Sequence, residues 1–147
     1  MSTPNRPLAL ALIAGALALA LALAGCTQVE EFESTSEPTS VQPIKGQDDI
    51  QQVTFTADAA RRVDLTTATV RASGGHTSIP YAALIYNEDG DAFTYVNRRP
   101  FVFVRVPIAI DHIADGRVVL RHGPPLGTRV VTTGAAEVYS AEFGVEE

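Results

Sequence analysis

An uninterrupted apolar run near the amino terminus limits what the rest of this chain can form. Leu8 to Gly25 holds sixteen apolar side chains in eighteen positions and no charged residue. Once such a segment is set aside, residues 26–147 are enough for one small domain with a single core. The length therefore excludes a multidomain enzyme, a polytopic membrane protein and a long coiled coil.

The residues on either side of the apolar run have the order of an export signal. Arg6 is the only charge ahead of it, and Leu23-Ala24-Gly25-Cys26 follows at its end. That ending resembles the bacterial lipobox, in which the Cys thiol receives a diacylglyceryl group and the chain is cut just before it. The resemblance implies a signal peptide over residues 1–25 and membrane lipid attached to Cys26, the only cysteine. We therefore predict a protein lipid-anchored at the extracytoplasmic face of a cell membrane, with a plain transmembrane anchor as the alternative.

Acidic and small polar residues dominate the stretch after Cys26. Residues 27–50 carry six acids against one base, Lys45, and Ser, Thr, Pro and Gln fill most other positions. A segment with few apolar residues and charge of one sign does not recover the entropy lost on ordering. We predict a disordered acidic tether over residues 26–50 and a folded domain over 51–147, with its core at 76–138. The domain lacks clustered Lys and Arg, so nucleic acid is not a predicted partner.

Short strand-like segments separated by turns make up most of the domain. Asp89-Gly90 and Asp115-Gly116 each predict a tight reversal between two strands. Pro107 predicts an edge, a bulge or a bend within the apolar region from Phe101 to Ile110. Six or seven such strands indicate an all-β fold, either a small barrel or a sandwich. The other segments predicted as strands are Gln52–Phe55, Leu65–Arg71, Ala82–Asn87, Ala92–Val96, Val118–Arg121 and Arg129–Thr132.

Two short helices are expected beside the strands. Thr56 is placed to cap a turn of helix over Ala57 to Arg62, with Asp58 near the positive end of the helix dipole. Ala135 to Phe143 is expected to form a second helix, which looks like a terminal tag outside the core.

Several motifs occur in an order that carries a further resemblance. The segment Ile79 to Tyr86, I-P-Y-A-A-L-I-Y, is followed by Gly90 and the strand Thr94-Tyr95-Val96. The motifs that come next are, in order, Arg105-Val106, the turn and strand Asp115 to Leu120, a loop with Gly123, Leu126 and Gly127, Val130-Val131, Gly134-Ala135 and the tail Ala141 to Gly144. This order resembles the C-terminal membrane-proximal domain of periplasmic adaptor proteins, the membrane-fusion subunits of RND- and ABC-type efflux systems.

The resemblance extends to an earlier stretch of the chain. Gln52 to Val70 is similar to the adaptor segment that precedes the first lipoyl half, and only Arg71 to Ser78 separates it from the I-P motif. The lipoyl halves, the helical hairpin and the β-barrel domain of full-length adaptors have no room there. The resemblance thus implies a truncated adaptor that keeps a small permuted SH3-like β-barrel.

The function that the resemblance implies is that of a non-enzymatic accessory docked on an ABC or RND-like transporter subunit. Adaptors of this family generally form rings, so the resemblance also allows a homo-oligomer. The alternative is a stand-alone cell-envelope binding module that recognises peptidoglycan, a peptide or another protein.

Residues typical of catalysis are sparse. Asp111-His112 and His122 are placed to meet across paired strands and hold a metal, but lone histidines of this kind are more often structural. The serines lack a G-x-S-x-G context, and Gly123 to Gly127 lacks the lysine of a phosphate loop. We predict no enzyme activity, no cofactor and no metal.

The aromatic residues of the domain allow two arrangements. They form either the core, which is favoured, or one exposed face that binds a partner; the residues concerned are Tyr81, Tyr86, Tyr95, Phe101 and Phe103. In the second arrangement the candidate partner-binding residues are Tyr81, Arg98, Arg99 and Phe101.

Overall fold

The computed structural model describes residues 37–144, which form two antiparallel β-sheets and two short α-helices. More than half of these residues lie in strands, which confirms the predicted all-β fold. The predicted signal peptide, Cys26 and the first part of the predicted tether lie outside the described residues. The elements are β1 (Thr39–Ile44), β2 (Gln47–Phe55), α1 (Ala57–Arg62), β3 (Thr66–Thr69), β4 (Arg71–Ser73), β5 (His76–Pro80), a 3₁₀ helix (Tyr81–Ala83), β6 (Ile85–Tyr86), β7 (Ala92–Arg99), β8 (Val102–Pro107), β9 (Ala109–Ala114), β10 (Arg117–His122), β11 (Arg129–Thr133) and α2 (Ala135–Phe143).

The larger sheet has the strand order β1-β2-β8-β7-β11-β3, and β6 pairs with the start of β7. The smaller sheet has the order β4-β5-β10-β9. Val70 alone separates β3 from β4, so one extended segment passes from the larger sheet to the smaller. Between residues 37 and 144 neither sheet closes on itself, because the first and last strands of each order do not pair with each other. The closed barrel predicted from the sequence is therefore not seen in this part of the chain.

The tight turns match their sequence signals. Asp115 and Gly116 have φ angles of 50° and 70°, as a two-residue type I′ turn requires, and they join β9 to β10. Asp89-Gly90 reverses the chain so that Ile85 pairs with Phe93. Pro107 is the last residue of β8, where the apolar region divides into β8 and β9. Within the segment predicted as a strand over 82–87, residues 82 and 83 instead end the 3₁₀ helix, and only the two residues of β6 form a strand.

The buried side chains form two clusters. The first cluster lies between the larger sheet and α2, and it includes Val53, Phe55, Tyr95, Phe103 and Val138. The second combines strands of both sheets, with Val70, Ile79, Val96, Val118, Leu120 and Val130 among its members. The chain thus buries two small apolar clusters.

The prediction of a disordered tether over residues 26–50 is wrong for the second half of that range. Thr39–Ile44 forms β1 and Gln47 begins β2, so only residues before β1 remain available as a spacer. β1 is an edge strand whose partner, β2, supplies its backbone hydrogen bonds, and Val41 lies opposite Val53. Polar side chains suit the solvent face of such a strand, which is why the composition of this segment concealed it.

The carboxy-terminal helix is part of the core, which corrects its interpretation as a terminal tag. Val138 is fully buried, and Ala135 and Glu142 are nearly so. These residues recur at intervals of three and four positions, so they share one face of α2. That face contacts β1 and β2. Within residues 37–144, no helix has both the length and the apolar content needed to cross a membrane.

Candidate functional site

Three of the four predicted partner-binding residues lie together at the turn between β7 and β8. Arg98 and Arg99 end β7, and Phe101 immediately precedes β8; we call residues 98–101 the hairpin tip. All four residues of the tip are exposed, and the Phe101 side chain is 40% accessible. The tip is thus an aromatic ring beside two cations at the end of a sheet.

The backbone of the tip is unusual at Phe101, which has a φ of 62°. A bulky residue rarely adopts this left-handed conformation, which costs on the order of 1–3 kcal/mol. A hydrogen bond from the Phe55 amide to the Phe101 carbonyl, 2.9 Å long, holds it there. The Asn97 side chain braces the turn further by donating from Nδ2 to the carbonyls of Arg99 (2.7 Å) and Val102 (3.3 Å).

A shallow groove of about 260 Å³ lies beside the tip. Arg129 lines it and is fixed by hydrogen bonds from Nε (2.8 Å) and Nη2 (2.6 Å) to Thr67 Oγ1. The floor is partly apolar, from Leu65, Pro100 and the rings of Phe101 and Phe103. This combination suits an apolar side chain flanked by negative charge.

Tyr81, the fourth predicted residue, lies elsewhere. It begins the 3₁₀ helix, its amide donates to the Gly116 carbonyl (2.9 Å), and it is 55% exposed. Gly116 belongs to the β9–β10 turn of the smaller sheet, and Tyr81 does not line the groove beside the tip. The structure therefore divides the predicted partner-binding residues between two places.

The aromatic residues are divided in the same way. Tyr95 and Phe103 are each 1% exposed and belong to the core, as predicted. For Tyr81, Tyr86 and Phe101 the prediction of a core position is wrong, because all three are exposed. These three lie in or beside turns and short elements, where the chain turns away from the packed sheet.

A buried charged cluster, which the sequence did not reveal, attaches α2 to the larger sheet. Glu142 is 4% exposed; its Oε2 accepts from the Tyr95 hydroxyl (2.6 Å) and its Oε1 from Arg105 Nε (3.1 Å). The Gln51 amide also donates to Oε1, at 3.4 Å. The Arg105 guanidinium is stacked between the rings of Phe93 and Phe143, 5.5 and 5.0 Å from their centroids. The cluster connects three strands with the helix, so its role is structural.

The buried Tyr95 hydroxyl is expected to make the stability of the folded domain depend on pH in alkaline solution. Burial, reinforced by the hydrogen bond to Glu142, raises the pKa of Tyr95 well above its ordinary value of 10.0. The raised pKa means that the folded state favours the neutral phenol. The contribution of this neutral phenol to the free energy of unfolding is fully present below the unfolded pKa near 10, and it is lost as the pH rises above that value. We expect Tyr95→Phe to be less stable than the natural protein at pH 7, and the gap to narrow above pH 10. Urea unfolding at several pH values measures the gap, and a gap independent of pH would contradict this account.

Asp111 and His112 of β9 form a hydrogen-bonded pair. His112 Nδ1 and Asp111 Oδ2 are 2.8 Å apart, and this hydrogen bond is the main reason that the pKa of Asp111 is lowered. The nearby charges of His76 and Arg121 also lower the pKa of Asp111. His122 lies opposite Ala109, away from this pair. Among residues 37–144, no group of three or more potential ligands is arranged to hold a metal ion.

No protein-family model matches this chain, and no curated protein shows a significant match to it.

Proposed function

We propose that this chain is a non-enzymatic envelope lipoprotein, anchored through an acylated Cys26, that docks on a membrane transporter through the hairpin tip. The observation that carries the proposal is Phe101, an exposed aromatic ring held at an unfavourable φ between two arginines and a basic groove. Rigid aromatic and arginine side chains contribute most of the binding energy at protein interfaces.

The strain at Phe101 supports a role outside the domain. A glycine or asparagine at this position would adopt the same turn at lower cost. The ring lines part of the groove but 40% of its surface remains accessible, so packing alone does not account for it. Strained residues of this kind concentrate at binding sites, where a partner supplies the compensating contacts.

The type of transporter follows from the motif order given above. The order from the I-P motif to the tail supports a domain of the adaptor type, a permuted SH3-like domain, and therefore an ABC or RND-like transporter subunit as the partner. The permuted order of the strands and the formation of a homo-oligomer are parts of the same proposal. The two sheets joined through Val70 are the framework that such a domain would use to present the tip.

Replacing Phe101 with Gly tests the tip. We expect the variant to stay within about 1 kcal/mol of the natural stability, because relief of the strained φ offsets the lost packing of the ring. We expect recovery of transporter subunits with the lipidated protein, after extraction of membranes in detergent, to fall at least tenfold.

Tyr86→Ser is the matched control, since Tyr86 is also an exposed aromatic residue but lies outside the tip. The control should recover transporter subunits as the natural protein does. Equal recovery by the Phe101→Gly variant would contradict the assignment of the tip. Recovery of cell-wall fragments without any transporter subunit would instead favour the stand-alone binding module.

A further inference from the structure

One face of the smaller sheet is unusually rich in positive side chains. Arg71 pairs with Ser78, Ser78 with Val119, and Val119 with His112, so these four residues form a row across all four strands. Directly paired residues project from the same face of a sheet. The opposite face carries Ile79, Val118 and Leu120 and belongs to the core, so this row lies on the outer face.

Two further arginines lie on or beside this row. Arg117 lies two residues before Val119, and residues two apart on a regular strand share a face. Arg121 stands at a bulge beside Leu120, and His76 is next to Thr77, the residue that pairs with Leu120. Both Arg121 and His76 act electrostatically on Asp111, beside His112. We call the arginines Arg71, Arg117 and Arg121, with the neighbouring His76 and His112, the cationic face.

Little negative charge offsets these groups. The one acid among them is Asp111, the extra residue of a bulge in β9, and it is hydrogen-bonded to His112. In the part of the chain that the structure describes, no carboxylate lies within salt-bridge distance of Arg71, Arg117 or Arg121. The whole chain carries a net charge of −6, so a face that holds three arginines and one acid departs from the charge balance of the chain.

Arg117 lies against the smaller sheet between the two exposed arginines of the face. Arg117 lies along the sheet, where Nε donates to Ser78 Oγ (3.0 Å) and Nη2 to the Ser78 carbonyl (2.8 Å). This covers Ser78, which is 2% exposed, while Arg71 and Arg121 remain exposed on either side. The exposed ring of Tyr81 follows Pro80, the residue that pairs with Arg117, at the rim of the face.

The length of chain between Cys26 and β1 limits how far the start of β1 lies from a membrane. Only the twelve residues 27–38 separate Cys26 from Thr39, and even fully extended they span no more than roughly 45 Å. This step rests on the proposed lipid attachment. Arginines facing an anionic leaflet are attracted to it, and tyrosines favour the headgroup region.

We propose that the cationic face binds the phosphate headgroups of anionic phospholipids, so that the smaller sheet lies against the bilayer. Arg71 and Arg121 approach the lipid phosphates, and Arg117, fixed on Ser78, adds charge close to the sheet. Tyr81 reaches the headgroup region at the rim. The hairpin tip belongs to the other sheet and is not used in this contact.

Vesicle flotation tests the proposal with the whole mature chain from residue 26, carrying Cys26→Ser so that no acyl chain contributes. The vesicles are phosphatidylcholine alone or phosphatidylcholine with phosphatidylglycerol, at low and physiological salt. We expect binding to the anionic vesicles only, with weaker binding as salt rises. Arg71→Gln with Arg121→Gln is expected to reduce the partition coefficient about thirtyfold, at about 1 kcal/mol per arginine.

Arg61→Gln with Arg62→Gln is the matched control, because it removes the same charge from α1. This control should keep nearly all of the binding. Equal losses in both double variants, or no binding to anionic vesicles, would overturn the proposal. Binding to a soluble polyglutamate peptide but not to vesicles would overturn it in favour of an acidic protein partner. The assay contains neither transporter nor lipid anchor, so its failure is distinguishable from failure of the proposed docking function.

Discussion

Replacing Glu142 with Ala is expected to destabilise the domain by about 3–5 kcal/mol. The substitution removes the acceptor for both Arg105 Nε and the Tyr95 hydroxyl. The Arg105 side chain is only 18% exposed, so its charge would lose a partner without gaining much water. A domain of this size is typically stable by 5–15 kcal/mol, so the variant is expected to lie near the limit of folding.

Urea unfolding followed by circular dichroism measures this effect. Glu142→Gln should fall between the natural protein and the Ala variant, because an amide oxygen still accepts from Tyr95 while the charge facing Arg105 is lost. Glu137→Ala is the matched control, since Glu137 lies on the same helix but is exposed. A loss below about 1 kcal/mol for Glu142→Ala would show that the cluster does not hold the helix to the sheet.

Features that depend on a few adjacent residues could be predicted from the sequence. Thr56 caps α1 because its hydroxyl reaches the Ala59 amide three residues on, at 3.1 Å. Asp115-Gly116 forms its turn because those two residues tolerate positive φ. The grouping of Arg98, Arg99 and Phe101 at one turn could be predicted for a similar reason, since they are close neighbours in the chain.

Features that depend on register and long-range pairing could not be predicted. Arg105 and Tyr95 lie 37 and 47 positions before Glu142, and a lone acid in a short terminal helix is normally solvated. The only signal was its spacing from Ala135 and Val138 on one helix face. The cationic face could not be predicted either, because its side chains come together only through the pairing of four strands.

A chain that begins at residue 51, where composition places the start of the domain, is expected not to fold. The truncation removes β1 and the first four residues of β2, so β2 becomes an unpaired edge. It also removes the Asp49 carbonyl, which accepts from Arg105 Nη2, and the Pro38 carbonyl, which accepts from the Thr56 amide. An exposed, partly apolar edge of this kind promotes aggregation.

The size of this effect follows from what β1 contributes. Six backbone positions of β1 pair with β2, each hydrogen bond is worth about 0.5–1.5 kcal/mol, and α2 loses contacts with both strands. The sum is comparable to the whole stability of a small domain. Circular dichroism and urea unfolding of residues 37–147 should match those of the chain from residue 26, whereas 51–147 should show no cooperative transition. If 51–147 instead unfolds at the same urea concentration as 37–147, β1 is an accessory strand, and the domain begins where the composition changes.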